Sequence, residues 1–215
     1  MSINKTYAVF GLGRYGLAVA QELITSGAEV IAVDSDEDTV NAAAAHIPVC
    51  KCADITDPEV IEQLGISNVD VAIIAMASNL EASVMATALC KEAGVPTVIA
   101  KCADEMHKKI LTKIGADRVL IPEQEAGVRL AKNLLSSGFT DIIDLSKDIS
   151  MVEIAVRPEW VGRSLIELNL RNKYSLNIVA IKQGEITTID IDPSKPLQED
   201  ATLVVVGNTK KLKKI

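Results

Sequence analysis

A doubly wound parallel α/β sheet (a Rossmann sheet) followed by a small α+β module is the fold class this sequence predicts, and three observations carry the expectation. An apolar run at 5–10 leads into three glycines at G-x-G-x-x-G spacing, Gly11, Gly13 and Gly16, and then into a helical pattern of Leu17, Val19, Ala20, Leu23 and Ile24. Apolar strand-like runs then alternate with helical patterns six times as far as 136, the signature of a parallel sheet with helices on both faces. Beyond Ile149 the pattern changes to half-buried strands around one short helix.

The elements follow in order. In the opening strand–turn–helix unit, Gly11 makes the tight turn, Gly13 lets a phosphate approach the backbone, and Gly16 lets the helix pack on the strand. A second strand at 29–33 ends at Asp34, 23 residues after Gly11. Ser35 or Asp36 caps a helix through the alanines 42–45, and a third strand spans 48–53 and ends at Asp54. Asp57 as N-cap with Pro58 at the first helical position opens a helix over 58–64. The run 69–75 is nearly all apolar, as a strand covered on both faces must be. A helix at 79–93 stops at Gly94, a strand fills 96–100, a helix at 104–114 stops at Gly115, a sixth strand spans 118–121, and a helix runs over 122–136.

Domain boundaries are expected near Ser136–Gly138: a nucleotide-binding domain over 1–138, a linking strand within 139–149, and a C-terminal domain over 150–215. In the latter, 151–156 alternates like a half-buried strand, Ser164 caps a helix over 164–170, 176–182 and 185–191 form a hairpin across Gln183-Gly184, and 201–206 is the last strand. A module of about 65 residues buries only about 60% of its unfolded surface, so pairing with a second copy is expected.

Composition narrows the functional classes. The 215 residues are 48% hydrophobic but 3% aromatic, which predicts an aliphatic core. A net charge of −7 lacks the basic footprint of a nucleic-acid binder. The longest apolar run, 71–77, falls far short of the ~20 residues a membrane span needs, and the glycine loop arrives before a signal-peptide core could. Cys50, Cys52, Cys90 and Cys102 are expected as reduced, buried thiols of a cytoplasmic protein, and the Cys50-x-Cys52 pair lacks a second pair for zinc. The repeat of Lys51-Cys52-Ala53-Asp54 as Lys101-Cys102-Ala103-Asp104 is explained by helix capping or by a shared place on the ligand crevice. Lys210, Lys211, Lys213 and Lys214 read as solvated charge at a helix end rather than a membrane anchor.

The glycine loop and Asp34 together point to an adenosine phosphate. Phosphate sits on the open N–H groups and the positive dipole end of the first helix, while the Asp34 carboxylate accepts hydrogen bonds from a ribose diol. The same carboxylate repels a 2′-phosphate, and no Arg or Lys lies between Arg14 and Lys51 to reverse that, so NADP is disfavoured against NAD or adenine nucleotides.

Three motifs carry a family resemblance: Gly11-Leu12-Gly13-Arg14-Tyr15-Gly16, Ala116-Asp117-Arg118-Val119-Leu120-Ile121-Pro122-Glu123, and Asn169-Leu170-Arg171-Asn172-Lys173-Tyr174. With them the whole chain resembles the RCK (regulator of potassium conductance) subunits of Ktr and Trk potassium transporters, and the KtrA type most closely. The resemblance implies homodimers assembled into an octameric cytoplasmic ring. Docked at the inner face of the membrane beneath a KtrB- or TrkH-like channel subunit, the ring gates that channel by nucleotide state, with ATP activating, ADP inactivating and NAD or NADH as the alternative ligand. It implies that Arg14 reaches the terminal phosphates of a neighbouring subunit's ligand. It assigns Ser35, Asp54, Ile55 and the loop Met76, Ala77, Ser78 and Asn79 to the adenosine wall, and Lys101 and His107 to the ligand crevice. Glu123 matches a carboxylate that holds a divalent cation, Mg or Ca, although Glu123 and Glu125 can equally stabilise the N-terminus of their own helix. In the C-terminal module it places Ile166, Arg171, Asn177 and Ile178 around cyclic di-AMP.

A dehydrogenase needs a proton donor in its substrate domain, and both histidines, His46 and His107, lie in the first domain. A non-enzymatic ligand-gated subunit is therefore the first reading. An NAD-dependent oxidoreductase of a small substrate and a nucleotide-sensing scaffold without a channel are the alternatives.

Overall fold

The computed structural model describes residues 5–135 and 139–212, without the side chains of 135 and 139–141. Two compact units divide between Pro122 and Glu123. The expected boundary at 136–138 lies outside the described residues, as do Lys213 and Lys214.

The first unit is a six-stranded parallel sheet in the order β3-β2-β1-β4-β5-β6. Its strands are β1 (Thr6–Phe10), β2 (Glu29–Asp34), β3 (Cys50–Cys52), β4 (Val71–Ile74), β5 (Thr97–Lys101) and β6 (Arg118–Leu120). The helices are α1 (Arg14–Thr25), α2 (Glu37–Ala44), α3 (Pro58–Gln63), α4 (Leu80–Glu92) and α5 (Glu105–Ile114). Because strand order reverses between β1 and β4, the loops leaving their carboxyl ends diverge and open a crevice there. All four residues of β4 are buried, which is why the run reads as continuous apolar sequence. Capping matches the sequence: Asp36, Asp57, Asn79 and Asp104 each accept a first-turn N–H of α2, α3, α4 and α5. The third strand is three residues long, against the six expected, since it pairs only with Ala32 to Asp34 of β2.

The second unit begins at Glu123, within α6 (Pro122–Leu135), and continues as an antiparallel five-stranded sheet in the order β10-β9-β11-β8-β7. Its strands are β7 (Phe139–Asp144), β8 (Ile149–Ala155), β9 (Asn177–Gln183), β10 (Ile186–Thr188) and β11 (Ala201–Asn208). The segment expected as a linking strand is thus an edge strand, with Ile142, Ile143 and Asp144 paired to Val152, Met151 and Ser150 of β8. Lys132 of α6 pairs with Asp144, and the Asn133 amide oxygen accepts the Ile142 N–H at 3.1 Å, so the helix is tied to that edge.

The single helix expected at 164–170 is two, α7 (Leu165–Leu168) and α8 (Leu170–Tyr174). Asn169 breaks them with φ 50°, a left-handed conformation that asparagine tolerates better than most residues. Ser164 and Glu167 form a reciprocal capping box on α7. A further turn, α9 (Thr209–Leu212), puts Lys210 and Lys211 at a helix end. The core of this unit is aliphatic around one tryptophan, Trp160, with Val152, Ile154, Leu203 and Val205 on the inner face of the sheet.

Candidate functional site

The crevice at the β1–β4 switch is a cleft of about 670 Å³, within the usual range of small-molecule sites. Its floor is the glycine loop. Gly11 takes φ +89°, a region only glycine enters freely, and its N–H donates to Val33 O at 2.9 Å, locking the loop onto β2. Gly16 is buried, and a Cβ there would run into the Gly11 carbonyl oxygen and stand 3.0 Å from the Ala75 Cβ. At Gly13, by contrast, nothing lies within 4 Å of where a Cβ would stand, so that flank of the backbone is open. The tight turn at Gly11 and the close helix–strand packing at Gly16 are the two steric duties the spacing predicts for them.

The first helix differs from its neighbours at the N-terminus. Gly13 is its N-cap and offers no side-chain acceptor, and the first turn carries no acid. Its leading N–H groups are thus left for another acceptor, the arrangement that receives a phosphate. Arg14, exposed in the same turn, makes no ion pair among the described residues. A cation there works against the helix dipole, a conflict that an anion at the helix end resolves.

Asp34 closes the other side. Its Oδ2 accepts the Leu12 N–H at 2.6 Å and its Oδ1 accepts the Asp36 N–H at 3.0 Å, which holds the carboxylate between the glycine loop and α2. Each oxygen keeps a lone pair for a ligand hydroxyl. Asp54 stands on the adjacent loop, where its Oδ1 accepts the Thr56 N–H at 2.9 Å and the Thr56 hydroxyl at 2.7 Å; these bonds, the backbone one foremost, hold its carboxyl below the ordinary aspartate value. Asn79, expected on the adenosine wall, lines the cleft while its Oδ1 caps α4 through the Ala82 N–H at 3.0 Å. The repeated Lys-Cys-Ala-Asp motif is explained locally, since Asp54 turns its own loop and Asp104 caps α5.

Of the expected residues, Gly11, Gly13, Asp34, Ser35, Asp54, Ile55, Met76, Ser78 and Asn79 line this one cleft. Arg14, Gly16 and Ala77 are not among its lining residues. Lys101 does not line it; its ammonium lies over the Tyr15 ring at 5.5 Å from the centroid, tying the end of β5 to α1. Neither does His107, which is 5% exposed beneath α4. Glu123 opens the second unit, at an exposed helix start. Among the described residues no three carboxylates, histidines or cysteines group closely enough to hold a metal, so a cation at Glu123 needs donors from elsewhere, such as phosphate or water. Thr39, Thr56, Glu81, Ala82 and Met85 also line the cleft and belong to no motif; the signal for the last three is their place on the first turns of the helix leaving β4.

A second, smaller groove of about 360 Å³ lies in the other unit. Ile166, Arg171, Asn177 and Ile178, the four residues expected to act together there, all line it, joined by Asn169 and Leu176. The left-handed turn at Asn169 sets α7 and α8 on two sides of the groove.

The TrkA-N domain family matches residues 7–122 and the TrkA-C domain family matches 149–215. The chain is 37% identical over 206 residues to Ktr system potassium uptake protein C of Bacillus subtilis, covering 96% of this chain and 93% of the relative. The chain belongs to the KtrA-type RCK subunits of potassium uptake systems. Ktr system potassium uptake protein A of Vibrio alginolyticus is 35% identical over 209 residues, 97% of this chain and 95% of the relative. Among solved structures, the GsuK channel superposes with a TM-score of 0.69 at 17% identity, over 97% of this chain and 38% of the channel chain, which confirms the fold.

This membership makes the chain a regulatory subunit of a potassium uptake system and not an enzyme, so the oxidoreductase alternative falls. No described helix is long and apolar enough to cross a membrane.

Proposed function

We propose that this RCK subunit gates a membrane-embedded, KtrB- or TrkH-like potassium channel partner according to the nucleotide in its N-terminal cleft, ATP activating and ADP inactivating. The observation that carries the reading is an uncapped helix N-terminus and a strand-end carboxylate facing one cleft, a phosphate site and a ribose site at the right places for one nucleotide. The lining carries Asp34, Asp54 and Glu81 and, among the described residues, no Lys or Arg. A triphosphate there needs positive charge from outside the lining. Arg14 of a neighbouring subunit and a divalent cation, Mg or Ca, near Glu123 supply it in this reading, which is why homodimers closed into an octameric ring belong to it. The ring sits at the inner face of the membrane, held there by the channel subunit. The second groove supports a further role: Arg171 faces the phosphates of cyclic di-AMP, walled by Ile166, Asn177 and Ile178, at a contact between two C-terminal modules.

The first test is the nucleotide that stays bound through purification, released by heat and identified by chromatography. ATP or ADP supports the reading, and NADH alone replaces the adenine nucleotide with its rival. In the same preparation ATP and ADP should raise the melting temperature more than NADP at equal concentration. Each charge-assisted hydrogen bond from a ribose diol to Asp34 contributes ~1.5–3 kcal/mol, and a 2′-phosphate forfeits it and adds repulsion. Tight NADP binding without an adenine-nucleotide effect contradicts the role given to Asp34.

A further inference from the structure

His107 is buried and outside the cleft, yet it touches the helix that forms one of the cleft's walls. Its Nε2 lies 2.7 Å from Ser83 Oγ on the first turns of α4. The Ser83 hydroxyl spends its one proton on Leu80 O at 3.0 Å, so at Nε2 it accepts. On the far side of the ring, Nδ1 faces the Ala103 N–H at 3.4 Å, which is a donor, so Nδ1 must be bare. The neighbours thus fix one neutral tautomer, Nε2–H, and the ring bridges the β5–α5 turn to α4 at Ser83. The residues flanking Ser83 on that helix, Glu81, Ala82 and Met85, line the cleft, and Asn79 caps it from the cleft side.

We propose that His107 is a pH-sensitive positioning residue: neutral, it seats the first turns of α4 on the nucleotide cleft, and protonation releases them. The proposal rests on the nucleotide reading of the cleft. A proton added at Nδ1 points at the Ala103 N–H, donor against donor, inside a site from which water is nearly excluded. The charged groups around the ring are few. Asp104, whose carboxylate accepts the His107 N–H at 2.8 Å, favours the charged ring; burial opposes it more strongly and holds the imidazole below its ordinary value. Glu105 and Lys108 flank it on α5, Cys102 follows the end of β5, and α4 faces it with Ser83, which does not titrate. Because the unfolded chain takes up this proton at higher pH than the folded one, the stability from neutral His107 is present above about pH 6.5 and is lost as pH falls below it.

The experiment is ADP binding by calorimetry on the full chain between about pH 7.5 and 5.5, with amide hydrogen exchange across 80–85 measured without nucleotide. Over that range wild type should lose more ADP affinity than His107→Gln, by about twofold or more, because the variant keeps an N–H for Ser83 but has no titration there, while the terminal phosphate of ADP, which itself titrates near about pH 6, weighs on both alike. Ser83→Ala, which removes the acceptor, should weaken ADP binding at the upper pH and flatten the profile. Exchange across 80–85 should speed at low pH in wild type relative to His107→Gln at the same pH. Matching pH profiles for wild type and His107→Gln, or matching exchange, overturn the proposal. Absence of ADP binding at every pH in wild type contradicts the reading of the cleft instead, and the exchange comparison still decides the role of His107.

Discussion

Substituting two glycines of one loop should separate folding from ligand binding. Gly16→Ala is expected to lower stability by ~3 kcal/mol, about 6–12 °C in melting temperature for a chain of this size. The added Cβ meets a backbone oxygen, that of Gly11, which cannot retreat. Its residue is held at φ +89° and pinned by the hydrogen bond to Val33 O. The other neighbour, the Ala75 Cβ, sits at the end of β4. The helix must therefore move off the sheet, and the ~1 kcal/mol that alanine gains over glycine in helix propensity does not offset it. Gly13→Ala should behave oppositely. Its φ of −62° suits alanine and nothing stands within 4 Å, so the protein should melt within about 1 kcal/mol of wild type. The new methyl occupies the flank by which a phosphate approaches, and ATP and ADP should no longer raise its melting temperature. Equal melting shifts with nucleotide in Gly13→Ala and wild type would remove the phosphate from this loop.

Arg14→Ala should retain ADP binding and lose the preference for ATP over ADP. Moving a ring from about 1:99 to 99:1 requires ~5.5 kcal/mol of differential binding, or about 0.7 kcal/mol at each of eight sites. A guanidinium meeting the one phosphate that ADP lacks contributes ~1.5–3 kcal/mol, which is ample. ADP binds nearly as well in either state, and equal affinity shifts nothing. Arg14 is exposed in the first turn of α1, so its removal should leave the fold intact and improve the charge at that helix end. Titration calorimetry with each nucleotide reads the result. A mutant that still prefers ATP severalfold shifts the switch away from Arg14.

Much of the fold was legible because several local signals agreed at each point. Asp57-Pro58 opens α3 and Gly115 closes α5 in its left-handed region, both where composition puts them. The glycine spacing gave the floor of the cleft for the same reason, since Gly11 and Gly16 each have a separate steric duty. What stayed dark depends on contacts between distant segments. Thr39, Thr56 and Glu81 meet in the cleft only through the strand order β3-β2-β1-β4, which no local pattern encodes. The pairing of β7 with β8 is hidden likewise, because 139–144 reads as a strand without naming its neighbour. At Asn169 the break between α7 and α8 escapes notice because asparagine, unlike glycine, is also an ordinary helix residue. His107, which the resemblance assigns to the ligand crevice, is instead buried by the packing of α4 on α5, a contact between segments that no local pattern encodes.

Potassium flux through the reconstituted complex of this subunit and its membrane channel, recorded with ATP and then with ADP, tests the central claim most directly. Flux that is high with ATP and falls on exchange to ADP is the predicted result, and flux that is the same with ATP, with ADP and with neither contradicts it.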